Sequence, residues 1–140
     1  MSTNVRAEVS KKSKYWIDRH RYYELKHFVL QYPLWKEQLK ELDGYNDFSP
    51  VVKTWIRDGE RYYSQVEFVT MKREYYRDRI KMVDEAATRT DKDLGGYILD
   101  GILKGLSYDK MNTIKTMPCS RDTYYELYRK FFWLLSELRK

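Results

Sequence analysis

Between residues 52 and 87 the chain returns one residue to the same helical face at alternating steps of three and four. The positions are Val52, Trp55, Gly59, Tyr62, Val66, Val69, Arg73, Tyr76, Ile80, Val83 and Ala87. That spacing is a heptad seam of about five repeats, and it commits the middle of the chain to helix. Ser49-Pro50 precedes it, a capping hydroxyl with proline at the first helical position, so the helix is expected to start there. Gly59 and Arg73 are weak seam positions, and Asp58-Gly59 marks a place where the helix divides. A seam of this length needs a covering surface. The first helical hairpin of the same chain or a second copy would supply it, and the latter makes a homodimer one expected partner. No segment shows the alternation of a strand, so the expected fold is all-α. It has a helical N-terminal part with a long middle helix, followed by a C-terminal helix-turn-helix.

Residues 1–13 are polar and aperiodic, a flexible tail, and helix begins near Tyr15. Phe28, Tyr32, Trp35, Leu39 and Leu42 form a stripe interrupted by Pro33, where a kink or a restart is expected. Residues 44–50, GYNDFSP, are a connector, and residues 87–93, ATRTDKD, are a candidate linker. The organisation expected is therefore a tail (1–13), a packing or dimerisation part (14–90) and a C-terminal domain (91–140). Leu94, Ile98, Ile102 and Leu106 mark a glycine-rich helix that needs tertiary support, since each interior glycine costs about 1 kcal/mol relative to alanine. Ser107 then caps a short helix bearing Met111 and Ile114, residues 115–119 turn at Pro118, and Ser120 caps a final helix. Its inward stripe is Tyr124, Leu127, Tyr128, Phe131, Leu134, Leu135 and Leu138. Each of the four Tyr-Tyr doublets is expected to straddle a core boundary, one ring inside and one at the rim.

Composition excludes several classes. A charged fraction of 34% and a mean hydropathy of −0.81 oppose a membrane protein. The longest apolar run, residues 131–135, falls far short of the ~20 residues of a spanning helix. The opening MSTNVRAEVSKKSKYW has no apolar run of a secretory signal, and a single cysteine, Cys119, fits a reducing compartment. The expectation is a soluble protein of the cytoplasm. The net charge of +6 is uneven: +4 over residues 1–31, −1 over 32–93 and +3 over 94–140. Basic ends suit phosphate and a neutral middle suits protein, although ordinary solubility charge would account for the same excess.

Enzyme chemistry finds no purchase. His20 and His27 lie seven apart, too far for one turn to offer both to a metal, and no ligand partner follows at suitable spacing. Cys119 has no histidine nearby in sequence, and the Gly95-Gly96 pair lacks the lysine and hydroxyl of a phosphate loop. Asp84-Glu85 lies among bases, as solvated helix surface does. No catalytic residue, metal or cofactor is expected.

The last third carries the functional expectation. Two helices joined at Pro118 match a helix-turn-helix, whose second helix lies in the major groove of double-stranded DNA. Outward-facing Arg121, Asp122, Tyr125, Glu126, Arg129 and Lys130 would form the DNA-binding face. Arg121 would read guanine, Ser120 or Thr123 would bond a phosphate, and Arg129 and Lys130 would clamp the backbone. Any basic amphipathic helix shares this pattern, so a helical protein-interaction or anti-regulator module, docking on a regulatory protein, is the alternative.

Met111, Ile114 and Met117, followed by the unbroken run Pro118-Cys119-Ser120-Arg121-Asp122-Thr123-Tyr124-Tyr125, resemble the C-terminal helix-turn-helix of phage late-gene transcription regulators of the RinA/ArpU type. That element is itself similar to the promoter-binding region 4 of sigma factors. Phe131, Phe132, Leu134, Leu135, Glu137 and Leu138 resemble the family's continuing final helix, and YYELKHFVLQYPLWKEQLKEL resembles its N-terminal helix. Residues 44–90 match poorly, and Pro118 stands where a glycine is common. The resemblance implies an activator of phage or mobile-element late genes, acting in a bacterial host and recruiting RNA polymerase. It also implies operator reading by Arg121, Asp122, Tyr125, Glu126 and Arg129.

Overall fold

A computed structural model describes residues 13–43, 55–58 and 61–140, the side chains of 55–66 excepted. Among the described residues six helices follow one another: α1 (Arg19–Leu30), α2 (Tyr32–Asp43), α3 (Gln65–Thr90), α4 (Gly95–Lys104), α5 (Tyr108–Ile114) and α6 (Arg121–Leu138). The architecture is all-α, with one short exception among the described residues. Strands β1 (Trp55–Asp58) and β2 (Arg61–Ser64) pair antiparallel, with Trp55 opposite Ser64 and Asp58 opposite Arg61.

That hairpin corrects the reading of the seam. Helix begins at Gln65 rather than near Pro50, so the Trp55 and Tyr62 positions belong to strands. The local chemistry explains it: Gly59-Glu60 is a two-residue connection with glycine first, between Asp58 and its strand partner Arg61, a hairpin signal that outweighs the helical period. The tail, the 44–50 connector, the Ser49-Pro50 start, Val52 and Gly59 lie outside the described residues. At Pro33 the expected restart holds: α1 stops at Leu30, and α2 opens with the proline in its first turn.

The chain divides into two compact units, one of Met1–Leu30 with Met82–Lys140 and one of Gln31–Lys81. This differs from a division near residue 90. α3 runs through most of the expected linker, and Ala87 and Thr90 within it are buried. Thr90 satisfies its hydroxyl by donating to the Ala86 carbonyl at 2.7 Å. α1 joins the C-terminal helices because its buried face packs on α6 and α4.

The first unit is built around α6, which packs on α1, α4 and α5. Tyr124, Tyr128, Phe131, Phe132 and Leu135 are its buried residues. Leu127, Leu134 and Leu138 are only half-buried, so the inward face is turned toward Phe132. From α1 come Tyr22, Leu25, Phe28 and Val29, and from α4 Ile98, Leu99 and Ile102. Each such side chain contributes about 1.5–3 kcal/mol when fully buried. The Tyr22 ring meets Phe132 edge-on at 4.9 Å, and its hydroxyl lies 3.4 Å from that of Tyr128. Burial, reinforced by Tyr22, pushes the Tyr128 hydroxyl well above the usual tyrosine range, so it stays neutral. Arg21 closes the far end of α6: Nε donates to Ser136 Oγ, and Nη2 donates to the carbonyls of Ser136 and Arg139. A guanidinium there satisfies orphan carbonyls and complements the helix dipole.

The glycines of α4 do different jobs. An added Cβ at Gly101 would lie 2.1 Å from the Tyr124 hydroxyl, and one at Gly95 would lie 2.0 Å from the Ala87 carbonyl oxygen. Gly105 closes the helix with φ of 64°, the left-handed region that glycine enters without strain. Gly96 faces open space.

In the second unit, Tyr32 and Trp35 of α2 and Val69 of α3 are buried among the described side chains. Arg73, the weak seam position, has a structural task. Its Nη2 donates to the Leu42 carbonyl at 2.9 Å and its Nε lies 3.2 Å from Asp43 Oδ1, which ties α3 to the C-terminal end of α2. Further along the seam Tyr76 and Ile80 are half-exposed, and Val83 and Ala87 are buried. The doublets follow expectation at 22–23 and 124–125, with one ring buried and one half-buried, whereas Tyr75 is exposed and Tyr76 half-buried.

Candidate nucleic-acid interface

Two capped helices and the turn between them form the candidate site. Ser107 is the N-cap of α5 and accepts from the Lys110 N–H. Ser120 is the N-cap of α6 and accepts from the Thr123 N–H at 3.2 Å. Each side chain satisfies one of the four orphan donors at a helix start, which is why serine stands at both positions. Residues 115–120 connect the helices, with Met117 buried and the Met117 N–H donating to Asn112 Oδ1 at 2.9 Å. Met111 is buried, but Ile114 is 63% exposed, so only the first of the pair belongs to the core.

Two tyrosines lock α5 to α6. The Tyr108 hydroxyl donates to the Cys119 carbonyl at 2.6 Å. The Tyr125 hydroxyl accepts from the Tyr108 N–H at 3.1 Å, so it serves α5 as a second cap. Tyr125 is accordingly half-buried and turned to α5, where the sequence reading set it outward toward DNA. Behind it the Tyr124 hydroxyl is buried without a hydrogen-bond partner, lying against Gly101. Burial pushes that hydroxyl up out of the usual tyrosine range.

The remaining expected residues sort into three groups. Arg121, Asp122 and Thr123 are exposed in the first turn, and the Ser120 hydroxyl donates to Thr123 Oγ1 at 3.0 Å, so both hydroxyls are engaged in the cap. Glu126 is exposed one turn later. Arg129 and Lys130 are half-buried, and Lys130 is close enough to Asp91 to help hold its carboxylate below the usual range. The larger causes there are the backbone N–H groups of Leu94 and Asp93, which bond Asp91 Oδ1 at 2.8 Å each.

Arg121 is not a lone cation. Both carboxylate oxygens of Asp109, in the first turn of α5, meet its Nη2. That hydrogen bond pushes the guanidinium further up its range. Asp109 was invisible to sequence reasoning, since twelve residues and a turn separate it from its partner and no local spacing links them. With Asp122 it brings two carboxylates to the neighbourhood of one arginine. On the side of α4, Asp100 is bridged by Lys104 at 3.2 Å and Lys115 at 3.1 Å. Desolvation pushes its carboxyl up, but the two lysine hydrogen bonds outweigh it and the net shift is downward.

Cys119 is half-buried, and burial, with Asp91 adding, raises its thiol and keeps it from the thiolate form. Among the described residues no group of three His, Cys, Asp or Glu converges as a metal site, and no helix is long and apolar enough to cross a membrane. No protein-family model, curated protein or solved structure matches the chain.

Proposed function

We propose that the chain is a sequence-specific DNA-binding activator of phage or mobile-element late genes. In this reading α5 and α6 act as a sigma-like helix-turn-helix, the first turn of α6 enters the major groove, and bound protein recruits RNA polymerase. The observation that carries it is the division of α6. Its first turn presents Arg121, Asp122 and Thr123 to solvent, while Tyr124, Tyr128 and Phe131 anchor the same helix from behind. A recognition helix needs that combination, because a reading face gains precision only when the helix under it cannot shift. Arg129 and Lys130, two turns on, suit phosphate.

The test is selection of binding sites from random-sequence duplex DNA by the full chain, then binding of the recovered site at two salt concentrations. The parent should recover a consensus, with affinity falling steeply as salt rises. Arg121→Ala should relax preference at one base pair. Arg129→Ala and Lys130→Ala should weaken all sequences alike and flatten the salt slope by about one unit each. Recovery of no consensus would sink the reading.

A second reading rests on its own observation. Asp109 pairs with Arg121 and Asp122 lies beside it, so the charge of that arginine is offset by carboxylates, which favours a protein surface over phosphate. In that case the chain is an interaction or anti-regulator module, and the selection returns unenriched DNA.

A further inference from the structure

We propose that Asp109 is a positioning residue that sets Arg121 for base recognition, an inference that rests on the DNA-binding reading above. The two side chains come from different helices of the motif, and both remain open to solvent, at 69% and 59% exposure. An ion pair so exposed adds little to folding stability, since water screens it and ordering two long side chains opposes it. Asp109 is also an unfavourable charge to bring toward a phosphate backbone. Stability and overall affinity thus leave the pairing unexplained, and orientation remains.

The geometry fits that role. Asp109 takes Nη2, so the Nη1 N–H groups remain for a single acceptor at a guanine edge. An unrestrained arginine must give up its rotamer freedom when it meets a base. One paired with a carboxylate on the neighbouring helix has given up part of that freedom before binding. Asp109 is itself fixed by α5, whose start is held by Ser107 and by the Tyr125 hydroxyl. The chain of support therefore runs from the α6 core through Tyr125 to α5, to Asp109 and back to Arg121. A structural alternative exists, because an acid in the first turn of α5 also favours the helix dipole. Base preference separates the two, since a dipole partner has no influence on which base Arg121 selects.

The experiment uses the full chain and the consensus duplex recovered by selection, with each base pair opposite α6 varied in turn. Asp109→Ala and Asp109→Asn should cut discrimination at the base pair read by Arg121 by about two- to tenfold, the range expected for freeing one long side chain. Their affinity for unrelated duplex should stay level or rise, because a negative charge has gone. Arg121→Ala should abolish discrimination at that pair, and adding Asp109→Ala to it should change discrimination no further. If both Asp109 variants keep the parent's preference while Arg121→Ala loses it, DNA reading stands and the positioning role falls. If Asp109→Ala sharpens the preference, Asp109 competes with the base and the inference is overturned. If the parent recovers no consensus, the DNA-binding reading fails and the inference goes with it.

Discussion

The unit built on α6 and the unit of α2, the hairpin and the first part of α3 both bury aromatic rings in a basic chain, by different means. Around α6 the rings are packed against one another and against small residues: Tyr22 on Phe132, Tyr124 on Gly101. Charges sit over rings in both units, with Arg139 at 3.9 Å over Phe28 in the first; in the other they are joined by no comparable stack of buried rings among the described side chains. Lys36 lies 4.8 Å above Tyr32 and Arg79 lies 3.5 Å above Tyr75. Rings packed on rings fix a geometry, because displacing one opens a void or forces a clash. Tyr75, with Arg79 over it, is exposed on the surface of α3, and a ring placed so tolerates displacement. The contrast teaches why the candidate DNA-reading helix grows from the first kind of packing.

The largest expected effect breaks the contrast within a single helix. Val83→Asp puts an unpaired charge where exposure is nil and should cost about 4 kcal/mol or more. Ile80→Asp, three residues earlier at a half-exposed seam position, should leave the melting temperature within a few degrees in a monomer. Light scattering on the same samples decides the homodimer question. If Ile80→Asp halves the molecular mass, a second copy covers the seam there.

Gly101→Ala probes the tight packing more finely. Its Cβ would clash with the buried Tyr124 hydroxyl, and the expected loss is about 1–3 kcal/mol by denaturant unfolding. Tyr124→Phe removes the oxygen, which has no hydrogen-bond partner, so alone it should be near neutral or stabilising. Combined with Gly101→Ala it should recover most of the loss. A double variant no better than the glycine substitution would show that the clash is not the cause.

Removing the cap of α6 should matter less. Ser120→Ala is expected to cost about 1 kcal/mol, seen in thermal melts, with the exchange of the first-turn amides of α6 accelerated. Unchanged amide protection would mean that another group caps α6.

The smallest effect is a pH dependence. The Asp100 carboxyl is lowered in the fold, so its contribution is complete above its unfolded pKa near 3.8 and is lost as pH falls through the lower folded value. The pairs are near the surface, so the loss should stay below about 1 kcal/mol. Asp100→Asn should flatten that acid limb, and an unaltered limb would assign it to other carboxylates.

Helix existence was legible wherever one local cause acted. Both capping serines, the break at Pro33 and the turn at Pro118 stand in the structure where their chemistry put them, because capping and proline geometry act within a few residues. Residues 55–64 were misread because two local signals competed. A period of 3.5 runs through a segment whose Gly59-Glu60 connection favours a hairpin, and periodicity alone cannot rank the two.

The sequence by itself determined an all-α chain with an amphipathic final helix, capped and preceded by a short helix and a turn. Tertiary structure decided the rest, because it depends on pairs far apart in the chain. Only packing could join α1 to α6 through Arg21 and Ser136, give Arg73 its place at the end of α2, and choose Gly101 as the seat of the Tyr124 ring. The same holds at the candidate site. That Arg121 would be exposed followed from helical period, whereas its pairing with Asp109, and the turning of Tyr125 onto α5, came from two helices meeting in space. A local pattern fixes which face a residue occupies; the partner it finds there is set by contacts that no spacing encodes.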